Sequence, residues 1–214
     1  MKLTTVTNVS VDGVTHGHRR IDVETRCEAG GPNEEGGGFE RFGWAPPLLD
    51  DEASTFISQT FQRADAFLFG RRTYEIFAGS WGAGMDPGNP VGEALNTRPK
   101  YVASTTLPEQ QWADTTVLSG DIAGAIGQLR AERGGELQVW GSGTLIRWLL
   151  NHRLVDELVL LTYPVVVGQG TRLFPATGAD VGLELVDLRS TPKGVTIQTY
   201  RTTGRPQYET ATTT

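Results

Sequence analysis

The spacing of hydrophobic and polar positions changes several times along the chain, and each change predicts an element. Residues 2–10 set Leu3, Val6 and Val9 loosely among threonine and asparagine, which predicts a strand ended by an Asp12-Gly13 turn. Asp50 or Asp51 can cap a helix running to about Arg63, with Phe56, Ile57, Thr60 and Phe61 on its buried side. Residues 66–69 are continuously apolar, as in a strand covered on both faces. Tyr74, Phe77 and Trp81 recur about one helical turn apart, so 72–80 reads as a helix. A loop over 82–92 and a helical turn through Asn96 follow.

Further on, 100–103 and 117–118 read as strands and 121–133 as a helix stopped by Gly134-Gly135. Residues 137–140 form the next strand, Gly141-Ser142-Gly143 a turn, and 144–151 a helix. Residues 156–167 read as one long apolar strand, and 183–189 and 195–202 as two more with no helix between them. The order β-α-β-α-β-β-α-β-α-β-β-β predicts an α/β fold whose central sheet is mostly parallel, with an antiparallel C-terminal edge. Two segments fall outside the pattern. Residues 13–47 are irregular without a break in composition that would mark a linker, and the closing "RPQYETATTT" is polar and predicted to be disordered. One domain over 1–203 with a tail at 204–214 is expected.

Composition narrows the function classes. A chain of 214 residues with 38% hydrophobic content can bury one α/β core. The net charge of −6 gives no general basic field for nucleic acid or an anionic membrane, so any anion site must be local. The single cysteine, Cys27, cannot form an intrachain disulfide and suits a reducing compartment. The start "MKLTTVTNVSVDG" lacks the apolar core of a secretory signal, and the apolar run 158–167 is about half a membrane span. A soluble, cytoplasmic protein is expected.

Chemistry concentrates at three strand ends. In "FLFGRRTYE", over 67–75, two arginines stand at the start of a helix, where the backbone dipole makes each cation cost about 0.3–1 kcal/mol. An anion beside Gly70, Arg71, Arg72 and Thr73 would reverse that cost; pairing with Glu75, or plain solvation, is the alternative. In "VWGSGTLIRWLL", Gly141 ends a strand, Ser142 is a good N-cap, and Gly143 leaves room above the first turn for a pyrophosphate. Ile146 stands where a dinucleotide fingerprint has its third glycine, and the acidic residue expected about 20 positions on is absent, so a standard Rossmann domain is not supported. Ser104-Thr105-Thr106 follows a third strand with hydroxyls suited to phosphate or ribose, although such loops also occur without a ligand. There is no Gly-Lys-Ser/Thr and no G-x-S-x-G. His16 and His18 have no further ligand set, so no metal site is expected, and Cys27 has only Arg26 to activate it. Asp12, Asp50, Asp51 and Glu52 are available as proton donors or substrate anchors, with helix capping an equal explanation for Asp50 and Asp51.

Six stretches in order carry a family resemblance: "NVSVDG" at 8–13, "GGFERFGWAPPLLDDE" at 37–52, "ADAFLFGRRTYEIFAGSW" at 64–81, "RPKYVASTTL" at 98–107, "LQVWGSGTLIRWLL" at 137–150 and "LVDELVLLTYPVVVGQGTRLF" at 154–174. The chain resembles the dihydrofolate reductase-like family, and within it the reductase domain of the bifunctional riboflavin-biosynthesis deaminase–reductase and its stand-alone bacterial relatives. The resemblance implies a three-layer dihydrofolate reductase-like fold and NADPH as cofactor. It implies that Gly70, Arg71 and Thr73 hold phosphates, which Arg72 beside them would join, and that Ser104 and Thr105 lie near the 2′-phosphate. Gly141, Ser142 and Gly143 would then meet the pyrophosphate, with Thr144 and Leu145 following.

The first strand and its turn would face nicotinamide and substrate. The implied activity is hydride transfer to a C=N or C=O of a pteridine- or pyrimidine-like heterocycle or a ribosyl compound. Asp51, Asp12 or an ordered water would be the acid; Asn8, Trp44 and Trp81 would line the substrate side, with ordinary packing an equal reading of both tryptophans, and the protein would be a homodimer. Two departures stand out. The doubled glycine of dihydrofolate reductases reads Gly141-Ser142 here, and their acidic folate-binding residue falls nearer Ser54 than Asp51. No zinc-binding deaminase segment is expected. The rival readings are a non-catalytic dinucleotide-binding sensor or assembly protein, and a structural homodimer associating through the 158–167 strand.

Overall fold

Strands with no polar face have to be covered twice, and the chain does this with helices on both sides of one sheet. The computed structural model describes residues 1–15, 41, 43–82, 88–107, 110, 112–132, 134–178 and 180–209. Six strands run parallel: β1 (Lys2–Ser10), β2 (Ala66–Gly70), β3 (Lys100–Ala103), β4 (Thr115–Leu118), β5 (Glu136–Trp140) and β6 (Glu157–Tyr163). β7 (Gly182–Ser190) and β8 (Thr196–Gly204) add an antiparallel edge, in the order β4-β3-β2-β5-β1-β6-β8-β7. The helices are α1 (Asp51–Arg63), α2 (Arg71–Trp81), α3 (Pro90–Thr97), α4 (Ile122–Ala131) and α5 (Gly143–Asn151).

Alternation along the strands divides the core. Phe56 and Phe61 of α1, Tyr74 of α2 and Leu95 of α3 pack with Val6, Phe67, Phe69, Val159 and Leu161 on one face. Ile126 and Leu129 of α4, with Ile146 and Leu149 of α5, pack with Leu3, Leu68, Leu137, Val139 and Leu158 on the other. Each such side chain removed from water contributes about 1.5–3 kcal/mol. Phe61 stacks on Trp140 at 3.8 Å between ring centroids, which fixes α1 against the end of β5. The result is a three-layer α/β fold.

Three details differ from the sequence expectation. The long strand over 156–167 ends at Tyr163, because Pro164 has no N–H to donate and the chain turns there, Val165 N bonding Tyr163 O at 2.7 Å. That strand also lies between β1 and β8, paired on both sides, so it offers no edge for association and that rival reading falls. The helical turn before Asn96 is the eight-residue helix α3, whose start signals are a capping Asn89 and Pro90 in the first turn. Beyond β8, Arg205 Nε and Tyr208 OH both donate to Asp180 Oδ2. His16, His18, Cys27, most of the irregular 13–47 segment and the final 210–214 lie outside the described residues. Among the described residues no helix is long and apolar enough to cross a membrane, and none of their His, Cys, Asp and Glu side chains form a metal-holding group.

Candidate functional site

Because β1, β2, β3 and β5 are parallel, their carboxyl ends share one edge of the sheet. The order β3-β2-β5-β1 makes all four neighbours. Three of these ends lead into the segments singled out from sequence: Gly70 into α2, Gly141 and Ser142 into α5, and Ser104–Thr106 after β3. They meet at short range. A Cβ on Gly70 would lie 2.7 Å from Ser142 Oγ and 3.8 Å from Leu145 Cβ. One on Gly141 would lie 3.8 Å from Thr73 Cγ2, and one on Gly143 3.3 Å from Thr15 Oγ1. Any side chain at 70 would oblige the Ser142 hydroxyl to move, because the two turns abut there.

The helix starts at this edge differ from those elsewhere. Asp50, Asn89 and Asp121 accept from backbone N–H groups at 2.9, 3.0 and 2.9 Å and so cap α1, α3 and α4. α2 and α5 have no side-chain cap and no acidic residue in the first turn. The expected Ser142 cap fails for a backbone reason. Ser142 is left-handed, at φ 55° and ψ 70°, whereas a capping residue is extended. A non-glycine residue there costs about 1–2 kcal/mol, and Ile146 N to Ser142 O at 3.0 Å holds the turn in place. Two bare helix N-termini therefore lie side by side, each with about half a positive charge and free N–H donors.

Cations surround them. Arg71 donates from Nε to Glu75 Oε1 at 2.7 Å and from Nη1 to Thr106 O and Thr106 Oγ1, both at 2.8 Å. The carboxylate-pairing reading thus holds for Arg71, which also ties the loop after β3 to the start of α2. Arg72 is exposed and has no ion pair among the described residues. Arg147, which sequence reasoning passed over, donates to Arg172 O at 2.8 Å and to Thr144 Oγ1 at 3.2 Å. Its Nη1 lies 3.9 Å from where a Gly143 Cβ would be. The available signal was its position four residues after Gly143, one turn along the same helix. Ser104 is buried, its Oγ accepting from the N–H groups of Thr106 and Leu107 at 3.1 Å each, so it shapes its loop; Thr105 and Thr144 are exposed and Leu145 is buried.

The substrate-side expectations separate. Asp12 accepts from Ser10 Oγ at 2.6 Å, from Val167 N at 3.0 Å and from Gly168 N at 2.8 Å. The Ser10 hydroxyl above all, helped by these two N–H groups against some desolvation, holds its carboxyl down to about 2. At neutral pH Asp12 is a carboxylate with no proton to give; it is a loop anchor, which corrects its reading as an acid. Trp81 lies ten residues along α2 from Arg71, about 15 Å away, with its ring on Gly92 of α3. It is a packing residue and not part of the strand-end cluster. Trp44 meets Tyr163 edge-on at 5.4 Å, and burial first and the Asp50 charge second push the Tyr163 hydroxyl up to about 12. Asn8 is half-buried on β1 opposite Leu161, on the α1 side of the sheet. Asp51 is exposed on the first turn of α1 and lines a groove of about 340 Å³ with Phe56, Arg189 and Thr191, which none of the three turns enters.

The family model described as the RibD C-terminal domain matches residues 1–197. The chain belongs to the RibD C-terminal domain family. A protein of similar sequence is the uncharacterized protein YyaP of Bacillus subtilis (strain 168), 27% identical over 142 residues, covering 65% of this chain and 75% of that protein. Among solved structures, a putative riboflavin biosynthesis protein from Shewanella sp. PV-4 superposes with a TM-score of 0.67 at 19% identity, over 94% of this chain and 99% of that one. A pyrimidine reductase-like protein from Corynebacterium diphtheriae superposes at 0.56 and 15% identity, over 94% and 91% of the two chains. Dihydrofolate reductase from Enterococcus faecalis, complexed with NADP(H) and RAB-propyl, superposes at 0.55 and 14% identity, over 94% and 96%. At these identities the RibD C-terminal domain chain shares the neighbours' fold.

Proposed function

We propose that this RibD C-terminal domain protein is an NADPH-dependent reductase acting on a C=N or C=O of a small pyrimidine- or pteridine-like heterocycle or its ribosyl derivative. One observation carries the reading: the uncapped N-termini of α2 and α5 touch through Gly70 and Ser142, whereas α1, α3 and α4 are capped by their own side chains. Two donor sets so close suit a linked pair of phosphates better than a single anion. The residues fit the cofactor. The N–H groups of Arg71, Arg72 and Thr73 and those of Gly143 and Thr144 would hold phosphates, Arg72 and Arg147 would add charge, and Thr105 with Arg71 would flank the 2′-phosphate. The same fold in a dihydrofolate reductase complexed with NADP(H) supports this reading.

Bound there, the dinucleotide would supply a hydride. The chain's own contribution is to position and to exclude water. The β1 end, held to the 164–168 loop by Asp12, forms the floor on which Asn8 faces the α1 layer, and Trp44 against Tyr163 closes the apolar side. Proton delivery is assigned to Asp51, which is exposed and can exchange with water, whereas Asp12 is committed to three hydrogen bonds as a loop anchor. The test is a heterocycle screen following NADPH oxidation at 340 nm. Turnover of a pyrimidine or pteridine, reduced by at least tenfold in Asp51→Asn with unchanged NADPH affinity, is the expected outcome. Tight NADPH binding with no turnover across the screen would instead favour a dinucleotide sensor.

A further inference from the structure

An arginine at a helix N-terminus is a cation in a positive field, and what it offers a ligand depends on which of its N–H donors are already taken. Arg71 uses three of them. Nε donates to Glu75 Oε1 at 2.7 Å, and Nη1 donates to Thr106 O and Thr106 Oγ1 at 2.8 Å each. The Nη2 donors have no partner among the described residues. The two partners act differently. Thr106 is neutral, so it fixes the guanidinium without lowering its charge. Glu75, half-buried one turn along α2, opposes that charge.

Helix stability does not account for the pair. The favoured order along a helix places the acid four residues before the base, and here the base comes first, at the positive end of the dipole. An ion pair this exposed adds little to folding. Glu75 also has no second cation among the described residues.

We propose, resting on the reading of the α2 turn as the 2′-phosphate site, that Glu75 is a specificity-determining residue that holds down the affinity of this turn for NADPH. A phosphate approaching the Nη2 side of Arg71 meets a guanidinium already paired on its Nε side, with a second negative charge close by. Arg72, exposed and without an ion pair among the described residues, then supplies most of the attraction. NADH has no 2′-phosphate, so Glu75 acts on one dinucleotide and not the other. Oxidised and reduced cofactor carry the same phosphate, so a moderated affinity also helps the oxidised form to leave after hydride transfer.

Glu75 could act in two opposed ways, and the Thr106 bonds decide between them. Were it the sole group holding Arg71, its removal would free the side chain and weaken NADPH binding. With Nη1 held twice by Thr106, the orientation survives and only the charge is released.

The test is isothermal titration of the full chain with NADPH and with NADH at low and high ionic strength. Glu75→Gln keeps an acceptor for Nε and removes the charge. It should tighten NADPH binding by about threefold to tenfold at low ionic strength and leave NADH within about twofold. The gain should shrink in high salt. Glu75→Ala, which also removes the acceptor, should tighten NADPH as well, because Thr106 retains Arg71. Unchanged or weaker NADPH binding in both variants, or an equal gain for NADH, would overturn the role of Glu75 while wild-type NADPH binding left the cofactor reading standing. A wild type that binds neither dinucleotide would overturn both.

Discussion

Gly70 and Ser142, 72 positions apart in sequence, stand so close that a single methyl group on Gly70 would come within 2.7 Å of the serine hydroxyl oxygen. Gly70 ends β2 and Ser142 stands two residues beyond the end of β5; each begins a helix, and both helices lack a side-chain cap. The contact makes one binding edge out of two turns. Gly70→Ala should push them apart and weaken NADPH binding roughly tenfold, about 1.4 kcal/mol, by isothermal titration. Adding Ser142→Gly removes the clashing hydroxyl and should recover most of the loss. Additive losses in the double variant would show that the contact does not couple the turns.

Ser142 also holds a left-handed backbone conformation without being glycine. Ser142→Gly should therefore raise the stability of the free protein by about 1 kcal/mol in urea denaturation, provided the added freedom of the unfolded chain does not cancel it. A loss of stability would mean that the serine side chain contributes more than the backbone strain costs.

Asp12 sets a pH signature. Its folded pKa of about 2 lies below the ordinary 3.8, so its contribution to stability is full above 3.8 and is lost as pH falls through about 2. The effect should be on the order of 1 kcal/mol, since part of the carboxylate meets solvent. Asp12→Asn should flatten the acid limb of the stability curve between these values and loosen the 164–172 segment in hydrogen exchange. An unchanged acid limb would remove the anchor role.

Much of the fold was legible because period and punctuation agree. The helix α1 follows from Asp50 and the spacing of Phe56, Thr60 and Phe61, and β2 from an unbroken apolar run ended by glycine. The strand-end glycines were legible for the same reason: each follows a buried strand and precedes a helical repeat. What sequence could not supply is contact between distant segments. Asp12 reads as a free carboxyl until Val167 and Gly168, 155 and 156 residues away, donate to it. Arg147 gains its place beside Gly143 only when Arg172 O arrives to hold it. The cap failure at Ser142 is likewise invisible in residue types, since serine is among the best caps when its backbone is extended.

Arg72 and Arg71 should separate on substitution. Arg72, without an ion pair among the described residues, should cost roughly tenfold in NADPH affinity when changed to alanine, the worth of a hydrogen bond to a charged group. Arg71→Ala should cost as much and also loosen the loop after β3, because Thr106 loses both of its bonds from the guanidinium. Limited proteolysis near 104–107 would report the loosening. Equal effects of the two variants on loop and ligand would merge their roles.

The central claim, that the paired turns grip a phosphorylated dinucleotide, is tested most directly by titrating the full chain with NADPH and with NADH side by side. The account expects saturable NADPH binding at least tenfold tighter than NADH, the difference shrinking in Arg71→Ala and Arg72→Ala. Equal and negligible binding of both dinucleotides would contradict it.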